Sequence, residues 1–159
     1  ESILKQEGKK VLVFCNFVER GLLRLTPLFK SKKLNFGFIS GKTGVSERRK
    51  LISSYMGGDI PVLLLSPVGF EGLDLYGTTH ILVLDPHFNP ERTLQLVSRA
   101  IRAYSEVPII NITHYVAFSD KLATTTIDES ILKIAERKKK LKEIIEECLI
   151  NEGAVIGEE

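Results

Sequence analysis

Residues 11–17 read VLVFCNF, a run with almost no polar side chain. A strand with one wet face alternates apolar and polar residues. One that does not alternate must be covered on both sides of its sheet. Four more strand-like runs follow: NFGFIS at 35–40, PVLLLS at 61–66, HILVLD at 80–85 and PIINITHYVAF at 108–118. Helix-patterned stretches separate them. Alternation of this kind with short connections predicts a doubly wound, mostly parallel sheet with helices on both faces. Ligands of such sheets collect beyond the carboxyl ends of the strands. Three loops are therefore expected to meet there: 16–17, 66–75 and 85–90.

The helical stretches carry their own signals. Residues 18–33 place Leu22, Leu25, Leu28 and Phe29 at helical spacing, with Pro27 expected to kink or interrupt the pattern. Ser46 is placed to cap a second helix whose one face holds Leu51, Ile52 and Tyr55 and whose end is marked by Gly57-Gly58. A long helix is expected over 128–147, buried along Ile131, Ile134, Ala135, Leu141, Ile145 and Leu149. The expected organisation is one lobe over 1–127, a helix over 128–150 packed on it and a frayed tail over 151–159.

A length of 159 residues, 43% hydrophobic and 26% charged, suits one globular domain with a substantial core. The formal net charge of +2 neither demands nor forbids a nucleic-acid partner, because local patches outweigh the sum. Basic residues gather at 30–33, 48–50 and 137–142. Cys15 and Cys148 lie far apart without metal-ligand spacing, so no metal site is expected and an intracellular, reducing compartment is. Cys15 sits in an apolar run as a small buried hydrophobe. No signal peptide and no membrane-spanning stretch is read, and Glu1 in place of Met leads us to expect a longer parent polypeptide.

Gly41-Lys42-Thr43 resembles the end of a phosphate-binding loop, but only three residues separate Gly37 from Gly41 where four are needed. Gly37 falls within an expected strand, and the next helix is expected to begin only near Ser46. The segment reads instead as a turn that exposes Lys42. The metalloprotease, nucleophile-elbow and dinucleotide motifs are all missing, as is a DExx box.

The segment PERTLQLVSRAIRA, residues 90–103, holds Gln95, Arg99 and Arg102 on one helical face, with Leu94, Val97 and Ile101 as a neighbouring apolar stripe. Such a helix can dock by its apolar side and hold out two guanidiniums, whose rigid forks suit phosphate.

Five motifs in order resemble the second RecA-like lobe of a superfamily 2 helicase, and within it the Snf2-type branch of DNA translocases. These are VLVFCNF, SGKTGVSERRKLISSYMGG, SPVGFEGLDL (motif V), LDPHFNP (the DPxWNP signature, with Phe88 for tryptophan) and QLVSRAIR (motif VI, Q-x3-R-x2-R). TIDESILKIAERKKKL is similar to the helical brace that follows the lobe. The sequence departs from the family after motif VI, where RAYS at 102–105 replaces RIGQ. The resemblance implies a site for ATP with Mg²⁺ shared with an N-terminal RecA-like lobe of the same protein, which would supply the P-loop and the Mg²⁺ ligands. Arg102 would stabilise charge on the γ-phosphoryl group, Arg99 would hold phosphates and couple closure to chemistry, and Gln95 would orient them. Gly69, Gly72 and Asp74 would border the nucleotide. Asn16, Gly41, Lys42, Arg48, Ser66 and Pro67 would face the DNA backbone, with duplex DNA as partner. Two other readings are an RNA helicase lobe of the same superfamily and a non-catalytic interaction module.

Overall fold

A computed structural model describes residues 8–68, 73–89, 91–100, 109–120 and 124–155. Its centre is a five-stranded sheet built from β1 (Val11–Phe14), β2 (Phe36–Ile39), β3 (Val62–Leu65), β4 (His80–Val83) and β5 (Asn111–His114). The strand order is β2-β3-β1-β4-β5 and every neighbouring pair is parallel. β1 lies in the middle, with Val11 opposite both Val62 and His80. All four of its residues are buried, as are all four of β3.

Alternate residues of these strands feed two cores. Leu12 and Phe14 join Leu63, Leu65, Ile81 and Val83 on one face. That face is covered by Tyr55 of α2 (Val45–Gly57) and by Leu96 and Ala100 of α3 (Glu91–Ala100). Val11, Val13, Cys15, Val62 and Leu64 form the other, under Leu22, Leu25 and Phe29. Both faces are therefore covered by helices, which is why β1 and β3 show no alternation.

The first helical stretch opens as a π-helical segment, Val18–Leu22, and continues as α1, Leu23–Ser31. Pro27 does not end it. Pro27 cannot donate to the carbonyl of Leu23, and the Thr26 hydroxyl does so at 2.9 Å. The irregularity lies one turn earlier, where Leu22 N–H reaches the Phe17 carbonyl at 3.0 Å. The widened turn also approaches β1 closely: a Cβ on Gly21 would stand 2.3 Å from the Cys15 sulfur.

Several expectations need correction. The cap of α2 is Gly44, not Ser46, because the tight 40–43 turn already aims the chain along the helix: Thr43 N–H donates to the Ser40 carbonyl at 3.1 Å, and Arg48 N–H to Gly44 at 2.9 Å. Gly58 does end that helix, in a left-handed conformation with φ of 91°. On α3 the buried stripe is Leu96 and Ala100 with Val97 half-buried. Leu94 is 66% exposed, and Ile101 lies outside the described residues. The last helix, α4, spans Ile127–Val155, reaching into residues expected as tail. Among its described side chains, Ile131 and Ala135 near its start are buried, whereas Ile134, Leu141 and Ile145 are exposed, and nothing is described of the Leu149 side chain.

Candidate nucleic-acid and nucleotide face

The carboxyl ends of β1, β2 and β3 open into a cleft of about 340 Å³ whose walls include Asn16, Ser40, Gly41, Lys42, Ser66 and Pro67. The cleft follows from the register. Ile39 and Leu65 end their strands side by side, and Phe14 pairs with Leu65. The residues after each strand must therefore converge. The convergence is tied by Ser66 N–H to the Ile39 carbonyl at 3.1 Å and by Cys15 N–H to the Leu65 carbonyl at 3.3 Å. Ser40 N–H donates to the Thr43 hydroxyl at 2.9 Å and Lys42 N–H to the Ser40 hydroxyl at 3.3 Å, which fixes a turn with Lys42 exposed at its tip. Five of the six residues expected at a nucleic-acid backbone thus line one cleft. The sixth, Arg48, is half-buried, and its Nη2 donates to the Val68 carbonyl at 3.1 Å. It clamps α2 to the loop that follows β3.

Gly37 is not part of any phosphate loop. It lies inside β2, and a Cβ there would stand 2.8 Å from Leu63 Cδ1 and 3.3 Å from Leu51 Cδ2. Its missing side chain lets α2 pack close on the sheet.

Next to the cleft, Asp85 follows β4 and is buried, 8% exposed. Its carboxylate accepts the Asn16 backbone N–H at 2.9 Å and 3.1 Å, and the Asn16 side-chain nitrogen at 2.7 Å. Residues 85–89 then form an ordered turn. His87 Nδ1 lies 2.9 Å from the Asn89 backbone nitrogen, and Asn89 Oδ1 accepts the Glu91 N–H at 3.1 Å at the start of α3. Phe88 is 47% exposed. Of the expected phosphate-facing residues, Gln95 is exposed on α3, Arg99 belongs to α3 with its side chain undescribed, and Arg102, Gly69 and Gly72 lie outside the described residues. Asp74 is exposed between Leu73 and Leu75, which anchor it by entering the core.

Three supports were not read from the sequence. Asp85 carries no local signal, since its partner lies 69 residues away. The Tyr55 hydroxyl meets the Thr78 hydroxyl at 2.9 Å in the core, and burial drives the Tyr55 phenol well above its ordinary range. Glu91 forms an ion pair with Lys142, tying the start of α3 to α4. The sequence did offer one signal for the start of α4: Thr126 and Glu129 have the spacing of a capping box.

An all-parallel sheet wound on both faces, with a cleft and an arginine-bearing helix at its carboxyl edge, is the architecture of a RecA-like lobe. The profile described as "Helicase conserved C-terminal domain" matches residues 1–104. The chain belongs to that family, as a Snf2-type C-terminal lobe of superfamily 2. It is 34% identical over 144 residues to a Drosophila melanogaster homolog of the SWI/SNF-related matrix-associated actin-dependent regulator of chromatin subfamily A containing DEAD/H box 1, covering 89% of this chain and 16% of that protein. It is 25% identical over 138 residues to a putative ATP-dependent RNA helicase of Acanthamoeba polyphaga mimivirus, covering 82% of this chain and 31% of that one. The crystal structure of the C-terminal part of the Fun30 ATPase domain superposes with a TM-score of 0.72 at 29% identity, over 84% of this chain and 41% of that chain. The chain thus spans under a third of the length of these two curated relatives. Among the described residues, no helix is long and apolar enough to cross a membrane.

Proposed function

We propose that the chain is the second motor lobe of an ATP-dependent translocase on duplex DNA, working against an N-terminal lobe of the same protein inside the cell. One observation carries the reading. Asn16, Gly41, Lys42, Ser66 and Pro67 line a single cleft, and the helix bearing Gln95 and Arg99 starts from the same sheet edge, beyond the turn that follows β4. The exposed Lys42 ammonium suits phosphodiester oxygens, which position a duplex without reading its sequence.

ATP with Mg²⁺, when bound, supplies the phosphoryl group that passes to water. The residues here fit the cationic half of such a site. Gly37 packs against Leu63 rather than lying open to a phosphate, and among the described residues no three His, Cys, Asp or Glu side chains gather to hold a cation. The family resemblance assigns Mg²⁺ to the other lobe. On this lobe Arg102 neutralises charge that develops on the γ-phosphoryl oxygens. Arg99 holds phosphates and links lobe closure to chemistry, and Gln95 orients both. Gly69 and Gly72 allow close backbone approach, and Asp74 borders the nucleotide or meets a motif VI arginine.

The test is Arg102→Ala in the full-length protein. DNA-stimulated ATP turnover should fall by roughly 10³ to 10⁵, the contribution of a finger donated across an interface. ATP and DNA affinity should change little, since the lost contact acts on the transition state. Wild-type turnover in this variant would overturn the assignment. Running duplex RNA beside duplex DNA tests the polymer, because the mimiviral relative is named an RNA helicase; stronger stimulation by RNA would replace DNA in the proposal.

A further inference from the structure

We infer that Asp85 and Asn16 are a positioning pair that relays occupancy of the cleft to the arginine helix; this rests on the function proposed above. The Asp85 carboxylate accepts three hydrogen bonds from Asn16, two from its backbone N–H and one from its side-chain amide. Asn16 is also a wall of the cleft. A displacement of that wall is therefore a displacement of the Asp85 carboxylate, unless bonds to a buried anion are broken. Asp85 has little freedom to absorb it. Pro86 follows with a fixed φ, His87 and Asn89 lock the turn at 2.9 Å, and Asn89 holds the first N–H of α3 at 3.1 Å. From cleft wall to arginine helix, each joint is hydrogen-bonded or ring-closed.

The amide of Asn16 is thereby committed to Asp85. Asn16 acts as the lever at the cleft's wall, and the phosphate-facing groups are its neighbours. A mechanical link of this kind works in both directions. If a duplex in the cleft shifts α3 toward its productive position, nucleotide at α3 must alter duplex affinity by the same factor.

The experiment uses the full-length protein and Asp85→Ala, which takes both acceptor oxygens away from the donors of Asn16. Three quantities are read: ATP turnover without DNA, turnover with saturating duplex DNA, and duplex Kd with and without a non-hydrolysable ATP analogue. The expected result is a fall in DNA stimulation of about tenfold or more in kcat with KM for ATP nearly unchanged. The nucleotide-dependent change in duplex Kd should collapse toward unity, since both draw on one coupling factor. Turnover without DNA should stay near wild type when assayed below the melting temperature, which the loss of these buried bonds lowers by a few degrees.

The exchange variant, Asn16→Asp with Asp85→Asn, retains one carboxylate and one carboxamide. The new carboxamide oxygen accepts the backbone N–H of residue 16 while its nitrogen donates to the new carboxylate. Stimulation and the Kd shift should recover together. Full stimulation in Asp85→Ala overturns the proposal. So does an equal fall in turnover with and without DNA, the mark of a purely structural residue, and so does a folded exchange variant that recovers neither quantity. Wild-type protein without DNA stimulation would instead defeat the proposed function, before any variant is compared.

Discussion

Cys15 illustrates how one buried side chain is held in its state by what surrounds it. It ends the apolar run of β1, is 3% exposed, and its sulfur lies where a Cβ on Gly21 would have to go. Burial pushes its thiol up to about 11 from an ordinary 9.0, with the neighbouring Asp85 carboxylate adding to the rise. A raised acid pKa means the folded protein keeps a proton that the unfolded chain would lose. The associated stability is fully present below the unfolded value and is lost as pH rises through about 11. Cys148 is free and exposed on α4. Iodoacetamide at mildly alkaline pH should therefore modify Cys148 and leave Cys15 untouched until the fold opens, because only the thiolate reacts. Peptide mass spectrometry of the native and urea-unfolded protein reads this directly. Rapid native labelling of Cys15 would contradict its placement against Gly21.

Among the elements, α4 depends on its first turn. The Thr126 hydroxyl accepts the Glu129 N–H at 3.2 Å, and the Glu129 carboxylate accepts the Thr126 N–H at 2.7 Å. The Thr126 backbone N–H is the main reason that carboxyl sits below its ordinary value, followed by the Thr126 hydroxyl. Its contribution is present above the unfolded pKa and is lost as pH falls through the depressed one. Thr126→Ala should lower the melting temperature by roughly 2–4 °C, the shift that a lost cap produces in a chain of this size. The deficit relative to wild type should shrink in acid, where the wild-type box is also broken. Circular dichroism melts across that pH range check both statements; an unchanged melting temperature would remove the cap's importance. The same element shows where sequence reading stops. Periodicity identified α4 but assigned burial along its whole length, whereas among the described side chains the buried apolar ones are Ile131 and Ala135. Periodicity reports which residues share a face, and what covers that face is a tertiary matter. On α3 the same limit turned Leu94 outward and Leu96 inward. β5 was expected over eleven residues and has four, Asn111–His114, because its ladder ends with the partner residues of β4. By contrast β1 and β3 were plain, since a run without polar residues suits few environments. The cleft was legible through its chain order, because strand ends in a parallel sheet must converge. Asp85 was not, because its meaning is a contact 69 residues away.

At the scale of the whole molecule, the chain presents a cleft with an exposed lysine and an arginine helix but no phosphate cradle in its described residues. By itself it should therefore show no ATP turnover above background, and it should hold duplex DNA weakly, with affinity falling steeply as salt rises and little dependence on sequence. Filter binding across a salt series and a phosphate-release assay test the two parts. Turnover abolished by Lys42→Ala would restore Lys42 as a phosphate-loop lysine, and tight salt-insensitive binding to one sequence would refute a backbone-directed cleft. The strand order has a consequence of another kind. β1 precedes in sequence both of the strands that enclose it. Its partner on one side is Val62–Leu65 and on the other His80–Val83. A nascent chain must therefore carry this apolar ribbon unpaired through the synthesis of the 47 residues between Phe14 and Val62, with no hairpin to shelter it. Folding of this lobe is thus governed by distant pairing, which is slow and exposes sticky intermediates. The helices that follow β1 and β2 are synthesised early enough to cover it while it waits.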